Sequence, residues 1–311
     1  MRVGRIVGAL VVGGLILAPG ASAASCVRVG VYQDNPLRTF AGLQKTTGKG
    51  LRTVSTYVTG GTLIDPKIIQ MANKRNLTLV VTWAPDGGVD KPVQPKYRLA
   101  RVVAGKYDVS LRALGTQLKG LKRPAIFRPM PEANTPWHAW SGLVNGNKPA
   151  TYIKAFRRVR SAVKATGKAK VQVLWAPYAR SVPESTANQI GNYFPGKKFV
   201  DLTGASAYNF GAVRGLAWYE PAALFQGVYG TAQALAPGKK FWIAETGSTA
   251  TGGSKSAWMA ALGALQVQLP NLAGVVWYDV KDPSGDFRVN QNADSRKAFK
   301  NLTTNLSRGC R

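Results

Sequence analysis

Two cysteines, one histidine and 14 acidic residues are all that this 311-residue chain holds of the groups that most often carry chemistry. Cys26, Cys310 and His138 are too few for a Cys/His zinc site. A cysteine protease or a Ser-His-Asp triad would have to run through His138 alone. No EF-hand spacing and no zinc-binding helix motif occurs, so neither a metal nor another cofactor is expected. Long apolar runs are also missing. After residue 23 nothing approaches the ~18 consecutive apolar residues of a membrane span, which excludes a transmembrane segment. No repeat of 20–50 residues and no low-complexity linker divides the chain. Charged residues make up 18% and hydrophobic ones 45%, a balance that suits a large core and not a disordered or coiled-coil protein.

Residues 1–23 read as a leader and not as part of the fold. Arg2 and Arg5 precede an apolar stretch from Ile6 to Leu17, and Ala21-Ser22-Ala23 supplies small residues for cleavage. The expectation is a secreted, extracellular protein whose residues 24–311 form one domain, and with it a monomer. Export permits disulfides. Cys26 and Cys310 stand at the two ends of that domain, so a bridge between them would fasten adjacent termini. A lipid-modified Cys26 is the alternative, disfavoured because Ala23 stands where a lipobox prefers Leu.

Basic residues outnumber acidic ones, 42 to 14. Cleavage after residue 23 removes two arginines and leaves +26. Such a surface draws anionic polymers, among them cell-envelope glycopolymers. The Lys and Arg residues are spread along the whole chain, however, and no recognition helix or RNA-binding sheet motif is present. No specific nucleic-acid partner is expected.

Eight apolar, β-branched runs alternate with amphipathic stretches. They are Val27–Tyr32, Thr53–Val58, Thr78–Trp83, Ala125–Arg128, Val171–Ala176, Leu202–Tyr208, Phe241–Glu245 and Ala273–Tyr278. Between them, Asp65-Pro66 offers a cap and a first-turn proline, and Asp108 a possible cap before Leu111, Leu114, Leu118 and Leu121. Tyr152, Phe156, Val159 and Val163 make one helical stripe, and Phe299, Leu302 and Leu306 another. Eight strand-helix units predict an α/β fold, a (β/α)8 TIM barrel. A doubly wound sheet would show a Gly-rich turn after its first strand, where Gln33-Asp34-Asn35-Pro36 stands instead.

Barrel chemistry sits at the C-terminal ends of the strands. Glu132 follows the fourth strand and Glu245 ends the seventh, three steps around the ring, so the two carboxylates can converge above the barrel. Paired carboxylates are what glycoside hydrolysis needs, one to protonate the leaving oxygen and one to attack or to activate water. Trp83, Trp137, Trp140, Trp175, Tyr208, Trp277 and Tyr278 crowd the same strand ends, where indole and phenol faces can stack on sugar rings. Asp34, Asp86 and Asp279 are weaker candidates for binding hydroxyls. Gly60-Gly61, Gly87-Gly88 and Gly252-Gly253 read as loop tips.

The segment FRPMPEANTPWHAW (127–140) resembles the acid/base segment of glycoside hydrolase family 26, the retaining (β/α)8 β-mannanases, and WIAETGS (242–248) resembles its nucleophile strand. NYFPGKKFVDLTGASAYNF (192–210) and VVWYDVKDPSGDFRV (275–289) are similar to the approach to its sixth strand and to its eighth strand with the following loop. The resemblance implies Glu132 as acid/base and Glu245 as nucleophile of a double displacement on a polysaccharide, in the manner of an endo-β-mannanase. Tyr208 would hydrogen-bond Glu245, Trp277 would lie under the sugar being cleaved, and Arg128 would fix charge and geometry. To act as the acid, Glu132 must hold a proton, and burial beside a negative Glu245 is expected to raise its pKa. The family usually places His before its acid/base, where this chain has Pro131. His138, six residues after Glu132, is either a packed loop residue or a substrate contact. Pro131 also leaves open a non-catalytic glycan-binding barrel, although binding alone needs neither glutamate nor Tyr208.

Overall fold

The computed structural model describes residues 26–88, 91–167 and 171–310. The expected leader at 1–23 lies outside the described residues. Eight parallel strands close into a barrel: β1 (Arg28–Tyr32), β2 (Leu51–Thr59), β3 (Thr78–Ala84), β4 (Ala125–Pro129), β5 (Val171–Trp175), β6 (Leu202–Asn209), β7 (Phe241–Ser248) and β8 (Leu272–Tyr278), with β8 pairing back onto β1. Each falls on one of the eight apolar runs, with ends shifted by a few residues.

The outer ring contains α1 (Pro36–Thr47), α2 (Pro66–Lys74), α3 (Leu99–Val103), α4 (Asp108–Lys119), α5 (Pro149–Lys164), α6 (Pro221–Leu235), α7 (Lys255–Gln268) and α8 (Ala293–Leu306). A short hairpin, β9 (Lys281–Asp282) and β10 (Gly285–Asp286), follows β8. The Asp65 side chain caps α2 by accepting from the amide of Lys67, and Pro66 takes the first turn. Asp108 differs from expectation. Tyr107 holds the cap position of α4, and Asp108 lies just inside the helix, where its carboxylate takes two hydrogen bonds from Arg158 of α5 at 2.7 and 3.0 Å. A bidentate arginine within reach outcompetes the backbone for that carboxylate.

Side chains alternate between the two faces of each strand. The lower barrel interior is apolar, filled by Val80, Ile126, Leu174, Leu202, Trp242 and Val276. Trp242 fits because β8 carries Gly274 opposite it, where a Cβ would stand 2.3 Å from the indole. The other face of each strand packs on the helices, as Trp277 does against Trp258 of α7 and Phe299 of α8. Toward the strands' C-terminal ends the inward positions turn polar, and there the candidate site is built.

The two ends of the described chain meet under the barrel. Cys26 and Cys310 form a disulfide across 284 positions of sequence. The amide of Val27 donates to Leu306 O at 3.0 Å, and Ser307 Oγ donates to Gly50 O at 2.9 Å. Replacing both cysteines by Ser is expected to cost about 2–5 kcal/mol by widening the unfolded ensemble. The Val27 and Ser307 contacts should still let the barrel close. Denaturant unfolding with and without the substitutions measures the loss, and equal midpoints would contradict it.

Candidate active site

Inward positions at the C-terminal ends of five strands converge on one guanidinium. Arg128, two residues beyond the apolar Ile126 on β4, is fully buried. Its Nη1 donates to Glu245 Oε2 at 3.1 Å and its Nη2 to Glu132 Oε1 at 3.3 Å. Ser206 of β6 accepts a further hydrogen bond from Nη2, and Thr82 of β3 lies at 3.5 Å from Nη1. Burial works against the charge on Arg128, but Tyr57 and the two glutamates outweigh it and raise its pKa.

Glu245 owes its place to an irregularity in β7. The pairing runs from Ala205↔Ile243 to Ser206↔Glu245 and skips Ala244, so Glu245 turns inward one residue after Ala244. Bulges of this kind re-aim side chains next to active sites. Tyr57 of β2 donates to Glu245 Oε2 at 2.7 Å, and Tyr208 of β6 donates to Oε1. Burial and the charge of Glu245 push both phenols well above their ordinary pKa, so they remain donors at any working pH.

Glu132 stands on the loop after β4, where Met130 and Glu132 both adopt left-handed backbone, φ +47° and +58°. Each such residue costs about 1–3 kcal/mol and persists only where its surroundings impose it. Here they do. The Met130 amide donates to Trp83 O and the Glu132 amide to Ala176 O, both at 2.9 Å. Trp140 Nε1 donates to Pro131 O at 2.7 Å, and Tyr152 hydroxyl to Met130 O at 3.1 Å. The Glu132 side chain, 10% exposed, takes Trp137 Nε1 at 3.2 Å and faces His138 Nε2 at 3.5 Å, both on Oε2. This reverses the expected protonation. Burial does push the Glu132 pKa up, but His138, Arg128 and Trp137 together pull it down to about 2.

Above these groups lies a cleft of about 350 Å³ lined by Tyr32, Tyr57, Glu132, His138, Tyr208 and Glu245 among others. It continues past Trp137, Tyr178 and Phe210. Of the aromatic residues expected at the rim, Trp137, Trp140, Tyr208 and Tyr278 line this space. Trp83, Trp175 and Trp277 do not. Each stands on the outward face of its strand and is at most 1% exposed. Trp83 donates to Gly60 O and meets Tyr107, Trp175 meets Phe194, and Trp277 donates to Phe287 O. Trp277 therefore does not reach the cleft; its inward neighbour Tyr278 lines it, stacked on Tyr32 with centroids 5.4 Å apart. Asp279 is drawn away from the cleft by Gln33 and the Val289 amide, at 2.6 and 2.8 Å. Asp282 and Ser284 of the β9–β10 hairpin line it instead.

Tyr57, Tyr32, Ser206, Asp282 and Ser284 were not among the expected site residues. The signal for Tyr57 was present: Thr53, Ser55 and Tyr57 share one face of β2, and Tyr57 stands toward the C-terminal end of that strand. Tyr57→Phe removes a charge-assisted hydrogen bond to Glu245 worth about 1.5–3 kcal/mol. Turnover is therefore expected to fall about 10- to 100-fold, and loss of the same bond from the folded state should lower the melting temperature by several degrees. Steady-state kinetics on any substrate that the parent cleaves checks this, and an unchanged kcat would contradict it.

Residues 94–259 match the family described as Glycosyl hydrolase family 26. Endoglucanase H of Acetivibrio thermocellus is 28% identical over 230 residues, which are 71% of this chain and 24% of that protein. The chain thus spans about a quarter of that relative's length. A modular endo-beta-1,4-mannanase from Cellulomonas fimi superposes with a TM-score of 0.66 at 17% identity, covering 89% of this chain and 70% of the other. The YdhT protein from Bacillus subtilis gives 0.63 at 16% identity, covering 89% and 86%. At such identities the two structures share the barrel fold.

Proposed function

The chain belongs to glycosyl hydrolase family 26, and from that premise we propose that it cleaves a β-linked polysaccharide by a retaining double displacement, with Glu245 as nucleophile and Glu132 as acid/base. The observation that carries this reading is the shared guanidinium: Arg128 contacts Glu245 at 3.1 Å and Glu132 at 3.3 Å. One arginine touching both carboxylates keeps them within reach of one glycosidic bond, as the ~5–5.5 Å pair of a retaining enzyme requires.

The two glutamates have different surroundings, which suits different tasks. Glu245 receives Arg128, Tyr57 and Tyr208, three donors that fix its carboxylate for attack on the anomeric carbon. Glu132 presents Oε2 beside the cleft-lining His138 and Trp137. In the first step Glu245 bonds to the anomeric carbon as the glycosidic bond breaks, and Glu132 gives its proton to the departing oxygen. Water then attacks the same carbon, the bond to Glu245 breaks, and Glu132 takes the proton of that water.

The resemblance of the acid/base and nucleophile segments favours β-mannan as substrate. A second reading, a β-glucan, is favoured by Pro131, which offers no side-chain donor beside Glu132, and by the name Endoglucanase H of the relative. Export through residues 1–23 belongs to the same proposal. So does attraction of the +26 chain to anionic envelope polymers, screened over ~8 Å at physiological salt. Incubation with β-mannan, mixed-linkage β-glucan, cellulose and xylan, followed by assay of new reducing ends, tests the reading. Release from mannan is expected, and release from glucan alone selects the second reading. Binding without release from any of them would support a non-catalytic barrel.

A further inference from the structure

His138 is the single histidine of the chain. Its ring lies flat on Trp140, with centroids 4.3 Å apart and planes 6° from parallel, and its amide donates to Ser141 Oγ at 3.1 Å. Stacking fixes the ring while the side chain keeps 28% exposure beside the cleft. Nε2 stands 3.5 Å from Glu132 Oε2, a separation that a small approach closes to a hydrogen bond. Arg128 occupies the other oxygen, Oε1. Oε2 is therefore the oxygen placed to exchange a proton with His138 on one side and with a substrate on the other.

Resting on the assignment of Glu132 as acid/base, we propose that His138 is a positioning residue that stores the catalytic proton. In the free enzyme this proton sits on the imidazole and pairs with the Glu132 carboxylate. It moves from Nε2 to Oε2 when substrate fills the cleft. Glu132 then donates it to the leaving oxygen. In the second step Glu132 recovers a proton from the attacking water and returns it to Nε2, so each cycle closes with no proton gained or lost.

The physical need for such a store comes from the donors around Glu132. Arg128, Trp137 and His138 favour its anionic form, which cannot act as an acid. Imidazole is the side chain that carries a proton near neutrality and releases it readily. Substrate that displaces water from the cleft weakens the case for two separated charges and favours the neutral pair. Among the described residues, the charged or titratable groups around this pair include Arg128 on β4, Asp86 after β3, Tyr178 after β5, Tyr208 on β6, Glu245 on β7 and Asp282 of the hairpin.

Two sites that share a proton titrate as a unit, and their last proton leaves at a pH no lower than either site would show alone. Removing the imidazole must therefore move the basic limb of kcat/KM toward acid if His138 holds the proton. His138→Gln keeps a polar side chain and His138→Phe keeps the stack on Trp140, and neither can titrate. For both, the basic limb measured on a neutral β-glycan polymer is expected to shift acidward by about one pH unit or more, whatever the height of the profile. Basic limbs superposable on the parent's in both variants would overturn the proposal. Glu132→Gln separates the two levels. If it loses the polymer while the His138 variants keep the parent's limb, storage alone fails; if it cleaves the polymer at the parent's rate, the acid/base assignment fails with it.

Discussion

Glu245→Ala is expected to lose turnover on the order of 10⁴- to 10⁶-fold, the scale on which removal of a catalytic nucleophile acts. Folding should survive. Arg128 keeps Glu132 as a counter-ion, and Tyr57 and Tyr208 can turn their hydroxyls to water in the space left behind. That space, between the guanidinium and two phenols, also suits a small anion. Azide should therefore restore cleavage of an aryl β-glycoside with a good leaving group and yield a glycosyl azide of inverted configuration. Turnover at the parent's rate without azide would remove Glu245 from the mechanism.

Arg128→Met carries the largest expected loss of stability. The guanidinium is fully buried, and its partners Glu132 and Glu245 are 8% and 3% exposed. Deleting the shared cation leaves two buried carboxylates facing each other, a defect worth about 3–5 kcal/mol, or on the order of 10 °C in melting temperature. The deficit should depend on pH. In the parent, Glu132 is held at about 2, below its ordinary value of 4.5, so its contribution is present above the ordinary value and lost as pH falls toward 2. Without Arg128 the carboxylates protonate more readily. The gap between parent and variant is therefore widest near neutrality and narrows through the acid range. Thermal unfolding at pH 7 and pH 4 measures it, and equal melting temperatures at pH 7 would contradict the account.

The barrel was legible in the sequence because each strand is a short β-branched run and each helix carries its own apolar stripe. The two glutamates were legible for a related reason: Glu245 ends such a run and Glu132 stands on the loop that follows one. What was misread was facing. Trp83, Trp175 and Trp277 also stand at strand ends, but alternation along β3, β5 and β8 sends them outward against the helices. On β8 the pattern could have been read, since Val276 points into the barrel and Trp277 must then point out, leaving Tyr278 for the cleft. Glu245 escapes such counting because β7 skips Ala244 in its pairing, a local feature with no plain mark in the sequence. The protonation of Glu132 was misjudged because burial was weighed without His138 and Trp137, which the left-handed turn at Glu132 brings back onto its carboxylate. Contacts between residues only five or six apart depend on that turn, not on any helical or strand period.

Trapping the covalent intermediate tests the central claim most directly. A 2-deoxy-2-fluoro β-glycoside of the sugar that the protein cleaves, with a dinitrophenolate leaving group, slows the second displacement more than it slows departure of the phenolate. Peptide mapping by mass spectrometry should then find one fluorosugar on the peptide that contains Glu245 and none on Glu132. An unlabelled protein that still hydrolyses its substrate, with the first-formed product inverted at the anomeric carbon, would contradict the account.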